Sequence, residues 1–336
     1  MCWGGGGGQD DDDLAFLKGN DQESFNRWEA GQKLFTRTLL ANVEAAKAGK
    51  PMAVSPKVVE AVAKTLQSSV DKSLKAYALT MPSLTTVAEE MASIDPEALV
   101  DAARFTKRTI ATALRGSLEQ TYRANTLPAE PFRNDQEAIG MRRLKNVCLD
   151  YLASIEDEAV TALCLRQVRE AGCMTDVVAA TAVLASSLSA AARDEALTLF
   201  YEKHARGNDL ILCKWFTIQA VADVSSCLDR VNALLSHPDF SLKNPNKSRS
   251  LVNAFSMNMR HFHKADGSGY RWLADRILEV DKINPQNAAR MTSALSTFRR
   301  YDVPRQALIR EQLERLLATP GFSKDAYEIV SRSLKG

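Results

Sequence analysis

From about residue 21 to the C-terminus, apolar residues recur at steps of three and four, and no stretch alternates apolar and polar at every second position. That periodicity puts one apolar stripe on each of a series of helices and leaves no segment that reads as a half-buried strand. The turn-forming residues agree. The chain of 336 residues has 16 glycines and 11 prolines, and five of the glycines form the single run Gly4 to Gly8. What remains is too poor in turn residues for a fold built of many short strands.

The first helix starts near Asp21, with Phe25, Trp28, Leu34, Phe35, Thr38 and Leu39 as its apolar stripe, and ends at Gly49 and Pro51. On that stripe Trp28 reads as a core anchor, with Arg27 and Glu29 beside it on more polar faces. Ser55-Pro56 starts the next helix with a cap and a first-turn proline. A shorter piece carrying Leu74, Tyr77 and Leu79 follows, and Ser83 and Asp95-Pro96 mark further starts. The helix from Pro96 should be long, running through Leu99, Phe105, Ile110, Leu114, Leu118 and Tyr122. After a proline-containing loop at residues 125–135, helices are expected at 136–154, 157–171, 175–187, 189–206, 208–221 and 225–236. The last four are expected at 268–283, 285–299, 303–318 and 322–334. Medium helices joined by short breaks, without an exact repeat length, predict an all-α domain: a right-handed superhelix of degenerate stacked helix pairs, armadillo-like or HEAT-like. Residues 1–20, opening MCWGGGGGQDDDD, read as a disordered tail, and residues 21–336 as the folded domain.

The chemistry the chain lacks narrows its function. Its four histidines are His204, His237, His261 and His263. No pair has the four-residue spacing that lets two imidazoles on one helix face share a metal, and there is no H-E-x-x-H. His261 and His263 are two apart, which on a helix turns them about 200° from one another; they read as packing or surface residues. No nucleophile elbow, phosphate-binding loop or dinucleotide fingerprint occurs, and Asp266-Gly267-Ser268-Gly269 reads as a structural turn because no strand precedes it. No catalytic residue and no metal ligand are assigned. The six cysteines, at positions 2, 148, 164, 173, 213 and 227, form no C-x-x-C pair and suit buried free thiols in a reducing compartment. No apolar run approaches the roughly 18 residues of a membrane span, and no signal-peptide pattern is visible.

The net charge of +2 conceals an asymmetry. Residues 241–336 hold 17 Lys and Arg against 9 Asp and Glu, and the first 240 hold 26 against 32. A basic final third suits a carboxylate ligand or an acidic surface. Sparse aromatics and scattered charge argue against nucleic acid, whose binding would need to be steeply salt-dependent. The least generic stretch lies in this third, at residues 244–270: NPNKSRSLVNAFSMNMRHFHKADGSGY. There Pro245 fixes its own φ, Asn246 reads as the cap of the following helix, and Lys247, Arg249, Arg260 and both histidines stand close in sequence.

Six segments occur in one order: FNRWEAGQ (25–32), ALTMPS (78–83), NPNKSRSLVNAF (244–255), DGSGY (266–270), INPQNAAR (283–290) and RRYD (299–302). In wording and order they resemble the C-terminal region of the alanyl aminopeptidase (aminopeptidase N) family, in the bacterial and plastid or plant-type branch of the zinc gluzincin aminopeptidases. The resemblance runs from about residue 20 to the end. It implies a parent enzyme in which a β-domain, a thermolysin-like catalytic domain and a β-sandwich precede a helical superhelix that closes over the catalytic domain. Its zinc motif and its Gly-Ala-Met-Glu-Asn motif are absent here. The resemblance therefore implies a domain without zinc of its own and inactive alone, zinc being the parent's. Its partners would be the parent's catalytic domain and a peptide substrate, with no nucleic acid or membrane, in a cytoplasmic or plastid setting. By motif position Arg249 and Arg290 match family arginines facing the substrate chamber, and Lys247 completes the basic pair around Ser248, where the family usually has an apolar residue. A guanidinium suits a peptide carboxylate through paired hydrogen bonds. The alternative is a free-standing helical-repeat scaffold that binds a peptide or protein along a concave face.

Overall fold

The computed structural model describes residues 10–21 and 23–335. It divides into two compact units: one of the residues up to Glu90 together with Asp101–Ala180, the other of Met91–Val100 together with the residues from Thr181. Among the described residues there is no strand, only one isolated parallel bridge between Ile94 and Tyr301, both in the second unit.

The helices in chain order are α1 (Asp11–Asn20), α2 (Ser24–Lys47), α3 (Pro56–Gln67), α4 (Lys72–Leu79), α5 (Leu84–Glu89), α6 (Pro96–Ala113), α7 (Arg115–Ala124), α8 (Gln136–Ala153), α9 (Glu158–Glu170) and α10 (Met174–Ala185). They continue as α11 (Ala190–Phe200), α12 (Asp209–Ala220), α13 (Cys227–Leu235), α14 (Pro245–Ser248), α15 (Ala254–Ser256), α16 (Ser268–Asp281), α17 (Pro285–Thr292), α18 (Val303–Ala318) and α19 (Lys324–Lys335). Local chemistry sets most starts. Ser55, Asp71, Ser83, Asp135, Asp157, Ser189, Asn208, Asn284 and Asp302 each accept a hydrogen bond from a free N–H of the following first turn.

Three expectations are corrected. The tail expected through residue 20 is shorter, because Asp11–Asn20 folds as α1, closed by a capping box between Asp10 and Asp13 and packed on α2 and α3; the run Gly4 to Gly8 and Cys2 lie outside the described residues. The long helix from Pro96 breaks at Leu114 into α6 and α7. On α2, Trp28 is 38% exposed and Phe25 66%, whereas Arg27 is buried. The physical reason is α1. It covers the face carrying Arg27, whose Nε donates to the Lys18 carbonyl at 3.2 Å, and so turns Trp28 outward.

In the first unit α4 and α7 pack on α8, around Leu79, Leu118, Leu149 and Leu152. A buried polar tie crosses this core, Tyr151 donating to the Leu79 carbonyl at 2.8 Å, and another joins α2 to α6, Asn42 donating to Thr106 Oγ1 at 3.1 Å. Cys148, Cys164 and Cys227 are buried free thiols, and burial pushes each up to about 12, which keeps them protonated and unreactive. Cys173 and Cys213 are partly exposed free thiols. In the second unit, α16 and α19 pack on α17, α18 packs on α16 and α19, and α12 packs on α13 and on the stretch that follows α14.

Candidate functional site

The stretch at residues 244–270 is built from its first residue. Asn244, not Asn246, caps the helix: its Oδ1 accepts from Asn246 N at 3.0 Å and Lys247 N at 3.3 Å, with Pro245 at the first helical position. Asn246 instead accepts from Arg249 Nη2 at 2.6 Å. After α14 the helix widens into a π turn over Arg249–Asn253 before α15. Inside it the Ser250 carbonyl accepts from Thr217 Oγ1 of α12 at 3.0 Å. Such a local widening is frequent at functional sites, since it re-aims side chains without ending the helix.

Beyond α15 the chain folds around Asn258. Its Nδ2 donates to the carbonyls of Ala220 at 3.1 Å and Ala222 at 3.0 Å, and its Oδ1 accepts from His261 N at 3.0 Å. His261 Nε2 lies 2.9 Å from Asp223 Oδ1, and Arg260 Nε lies 3.4 Å from the same oxygen. His263 is buried between two phenols, its Nδ1 3.0 Å from Tyr270 Oη and its Nε2 3.1 Å from Tyr301 Oη, with its ring stacked on Tyr301. Burial, with the nearby Arg305 charge, pushes His263 down to about 3, so the imidazole is neutral at physiological pH. Arg305 closes the knot: Nε donates to the His263 carbonyl at 2.7 Å, Nη1 to Asp302 Oδ2 at 2.5 Å, and Nη2 lies 3.3 Å from Glu97. Phe255, Phe262, Tyr270 and Trp272 pack edge to face around it. Gly269 is required there, because a Cβ at that position would stand 2.1 Å from the Phe262 carbonyl oxygen.

Both histidines are thus packing residues held by oxygen partners, and this arrangement does not fit a zinc site. Among the described residues no group of three or more His, Cys, Asp or Glu side chains is placed to hold a metal ion. Of the hub residues Asp223, Asn258, Tyr301 and Arg305, only Tyr301 falls within one of the six motif segments, RRYD; the other three have no local sequence signature.

The three expected contact residues have different surroundings. Arg249 is exposed on the π turn, with its guanidinium steered by Asn246. Arg290 is exposed in the last turn of α17, and no ion pair engages it among the described residues. The Lys247 side chain is only 14% exposed and its Nζ is held 2.9 Å from Asp209 Oδ1, at the start of α12. No bond joins any two of the three.

A family model described as "Domain of unknown function (DUF3458_C) ARM repeats" matches residues 11–335. The chain belongs to this family. That description agrees with the all-α, armadillo-like fold. The chain is 36% identical over 324 residues to "Aminopeptidase N" of Escherichia coli (strain K12), covering 96% of this chain and 37% of that protein. It is 34% identical to "Aminopeptidase N" of Haemophilus influenzae, covering 96% of this chain and 36% of the relative, and 35% identical to that of Caulobacter vibrioides, covering 96% and 37%. Among solved structures, the Legionella pneumophila aminopeptidase A crystallised in complex with aspartic acid is similar with a TM-score of 0.87 and 27% identity, over 97% of this chain and 39% of that one. The chain therefore spans little more than a third of the length of the relatives it matches. No helix among the described residues is long and apolar enough to cross a membrane.

Proposed function

We propose that this chain is the C-terminal helical domain of a zinc-dependent alanyl aminopeptidase, which closes the substrate chamber and contacts the peptide beyond the residue being removed. The observation that carries the proposal is the match to aminopeptidase N over 96% of this chain, which runs through the segments bearing the exposed Arg249 and Arg290. In this reading the two arginines take the peptide's carboxylate and carbonyl oxygens, and Lys247, held by Asp209, fixes the start of the π turn from which Arg249 projects. Zinc belongs to the catalytic domain, and no chemical step runs through this chain. The tilted pair Phe25 and Trp28, with ring centroids 5.8 Å apart, adds an exposed apolar face of the kind that covers itself against another domain; its occupant would be the rest of the enzyme.

The test is a chimera in which this chain replaces the matching segment of the E. coli relative. The isolated chain should bind no stoichiometric zinc and should not turn over an alanyl chromogenic substrate, while the chimera should. In the chimera, Arg249→Ala and Arg290→Ala should each raise KM for a tripeptide by about tenfold, as expected for losing one charge-assisted hydrogen bond, and change the single-residue chromogenic substrate far less. Turnover by the isolated chain, or unchanged tripeptide kinetics in the double variant, would overturn the reading.

A further inference from the structure

The first unit contains a cleft of about 570 Å³ far along the sequence from the residues just described, between the end of α7, the loop at residues 125–135, the body of α8 and the end of α9. The loop is pressed onto the α9 terminus, since a Cβ on Gly172 would stand 2.7 Å from Ala129 Cα. One floor of the cleft is internally satisfied. Lys145 Nζ lies 2.5 Å from Asp176 Oδ2, and Asn146 donates to Asp176 Oδ1 at 2.8 Å. Gln167 donates to Asn146 and to the Asp176 carbonyl, both at 2.9 Å, and accepts from Tyr122 Oη at 2.8 Å.

The remaining charges do not balance. Of the cations lining the cleft, Arg123 is paired with Glu119 at 3.0 Å, Arg133 with Asp135 at 2.9 Å and Glu137 at 3.3 Å, and Lys145 with Asp176. Arg142 and Arg166 have no carboxylate within ion-pair distance among the described residues, and Glu170 is the one further acid on the wall. Arg142 is the informative one. It is 6% exposed, its Nη1 donates only to the neutral Arg133 carbonyl at 2.8 Å, and its guanidinium lies 5.3 Å from the Phe132 ring centroid. Its other N–H groups are not sealed in the interior. A nearly buried guanidinium is ordinarily neutralised by a carboxylate or phosphate. Here it lies on a cleft of ligand-sized volume whose lining also includes the apolar Leu127, Pro128, Ala129, Pro131 and Phe132.

We infer that this cleft is a binding site for a small organic carboxylate, with Arg142 and Arg166 taking the carboxylate and Phe132 with the loop prolines covering its apolar body. The planar fork of Arg142 suits bidentate pairing, and the apolar wall favours an acid carried on an aromatic or aliphatic group over a bare inorganic anion. A free acylated amino acid and the C-terminus of a short peptide present the same chemistry. The inference is independent of the aminopeptidase reading, because it uses none of the same residues.

The experiment is calorimetric titration of the full 336-residue chain at neutral pH and low salt with four probes: N-acetyl-phenylalanine, its amide, acetyl-Ala-Ala-Phe and inorganic phosphate. At least one of the two acids should bind, and the amide should bind about tenfold more weakly or worse. Which acid binds more tightly separates a free acid from a peptide terminus as the source. Arg166→Ala, at an exposed position that folding does not need, should weaken the acid about tenfold. Arg142→Gln should abolish binding while its circular dichroism stays helical, and Arg332→Ala, exposed on α19, should bind like the unaltered chain. Acid and amide binding alike, phosphate matching the acids, no binding by either acid, or undiminished binding by Arg166→Ala would each overturn the inference.

Discussion

His263 and Lys18 are two buried basic residues whose charged forms burial disfavours, in opposite halves of the chain, and each makes stability depend on pH in a definite direction. His263 is held down at about 3 in the fold, against an ordinary value of 6.5. Below pH 6.5 the unfolded chain takes up a proton that the folded one refuses, so stability falls as pH drops from 6.5 toward 3, by up to about 1.4 kcal/mol per pH unit. Urea unfolding at pH 7 and at pH 5 should show this loss, and His263→Gln should lower stability at pH 7 but show a smaller further loss at pH 5. Lys18 is completely buried in α1, its Nζ donating to the Ala78 carbonyl at 2.6 Å and lying 4.7 Å from the Phe35 ring centroid. Burial, reinforced by Arg27, pushes it down to about 7. The unfolded chain keeps that proton up to about 10.5, so the stability of this region rises with pH between 7 and 10.5. Thermal unfolding of the unaltered chain should therefore shift upward from pH 7 to pH 9.5, and Lys18→Met should flatten that rise. A rise of equal size in the variant would show that other groups carry it. The burial of neither residue is marked in the sequence: a lysine or a histidine looks the same there whether solvated or sealed in.

At the scale of single elements, turns and caps make the sharpest predictions. Asn244→Ala removes the acceptor for two first-turn N–H groups and should cost about 1 kcal/mol. Asn246→Ala, which the sequence alone nominates as the cap, should cost less, because the Asn246 side chain accepts from the exposed Arg249 and from no first-turn N–H. Gly269→Ala must move the Phe262 carbonyl and should cost about 3 kcal/mol or more. Gly267→Ala, at φ +68 with a Cβ 3.2 Å from the Leu308 methyl carbons, side-chain tips that can give way, should cost about 1 kcal/mol or slightly more. Chemical denaturation of the four variants checks the order, and a Gly269→Ala variant as mild as Gly267→Ala would contradict the close approach. The starts of α3, α8 and α18 were legible because a cap and its N–H donors lie within three residues of each other. The π turns at Tyr201–Ala205 and Arg249–Asn253 were not, because the carbonyl of Ser250 is turned toward Thr217, 33 residues away.

For the whole molecule, the family match and the exposed Phe25 and Trp28 place the interest at the surface. Phe25→Ser with Trp28→Ser should cost the isolated chain a modest part of its stability, most of it from Trp28, which is 38% exposed against 66% for Phe25. The same pair should lower the melting temperature or the turnover of the chimera if the face is covered there. An unaffected chimera would remove that face from the proposed interface.

By itself the sequence determined the all-helical class, most helix starts and the family, because three- and four-residue periodicity and caps are properties of near neighbours, and the wording and order of motifs are written along the chain whatever its tertiary packing. Tertiary structure alone decided which side of each helix is covered and which cation is engaged. Arg27 rather than Trp28 is buried because α1 lies over it. Lys247 is tied while Arg249 is exposed, because Asp209 reaches the first and only Asn246 steadies the second. Arg142 is nearly buried beside Phe132 without a carboxylate partner because the loop folds back over α8. For Arg27, Lys247 and Arg142 the deciding partner comes from a separate element or loop, beyond the reach of helical periodicity.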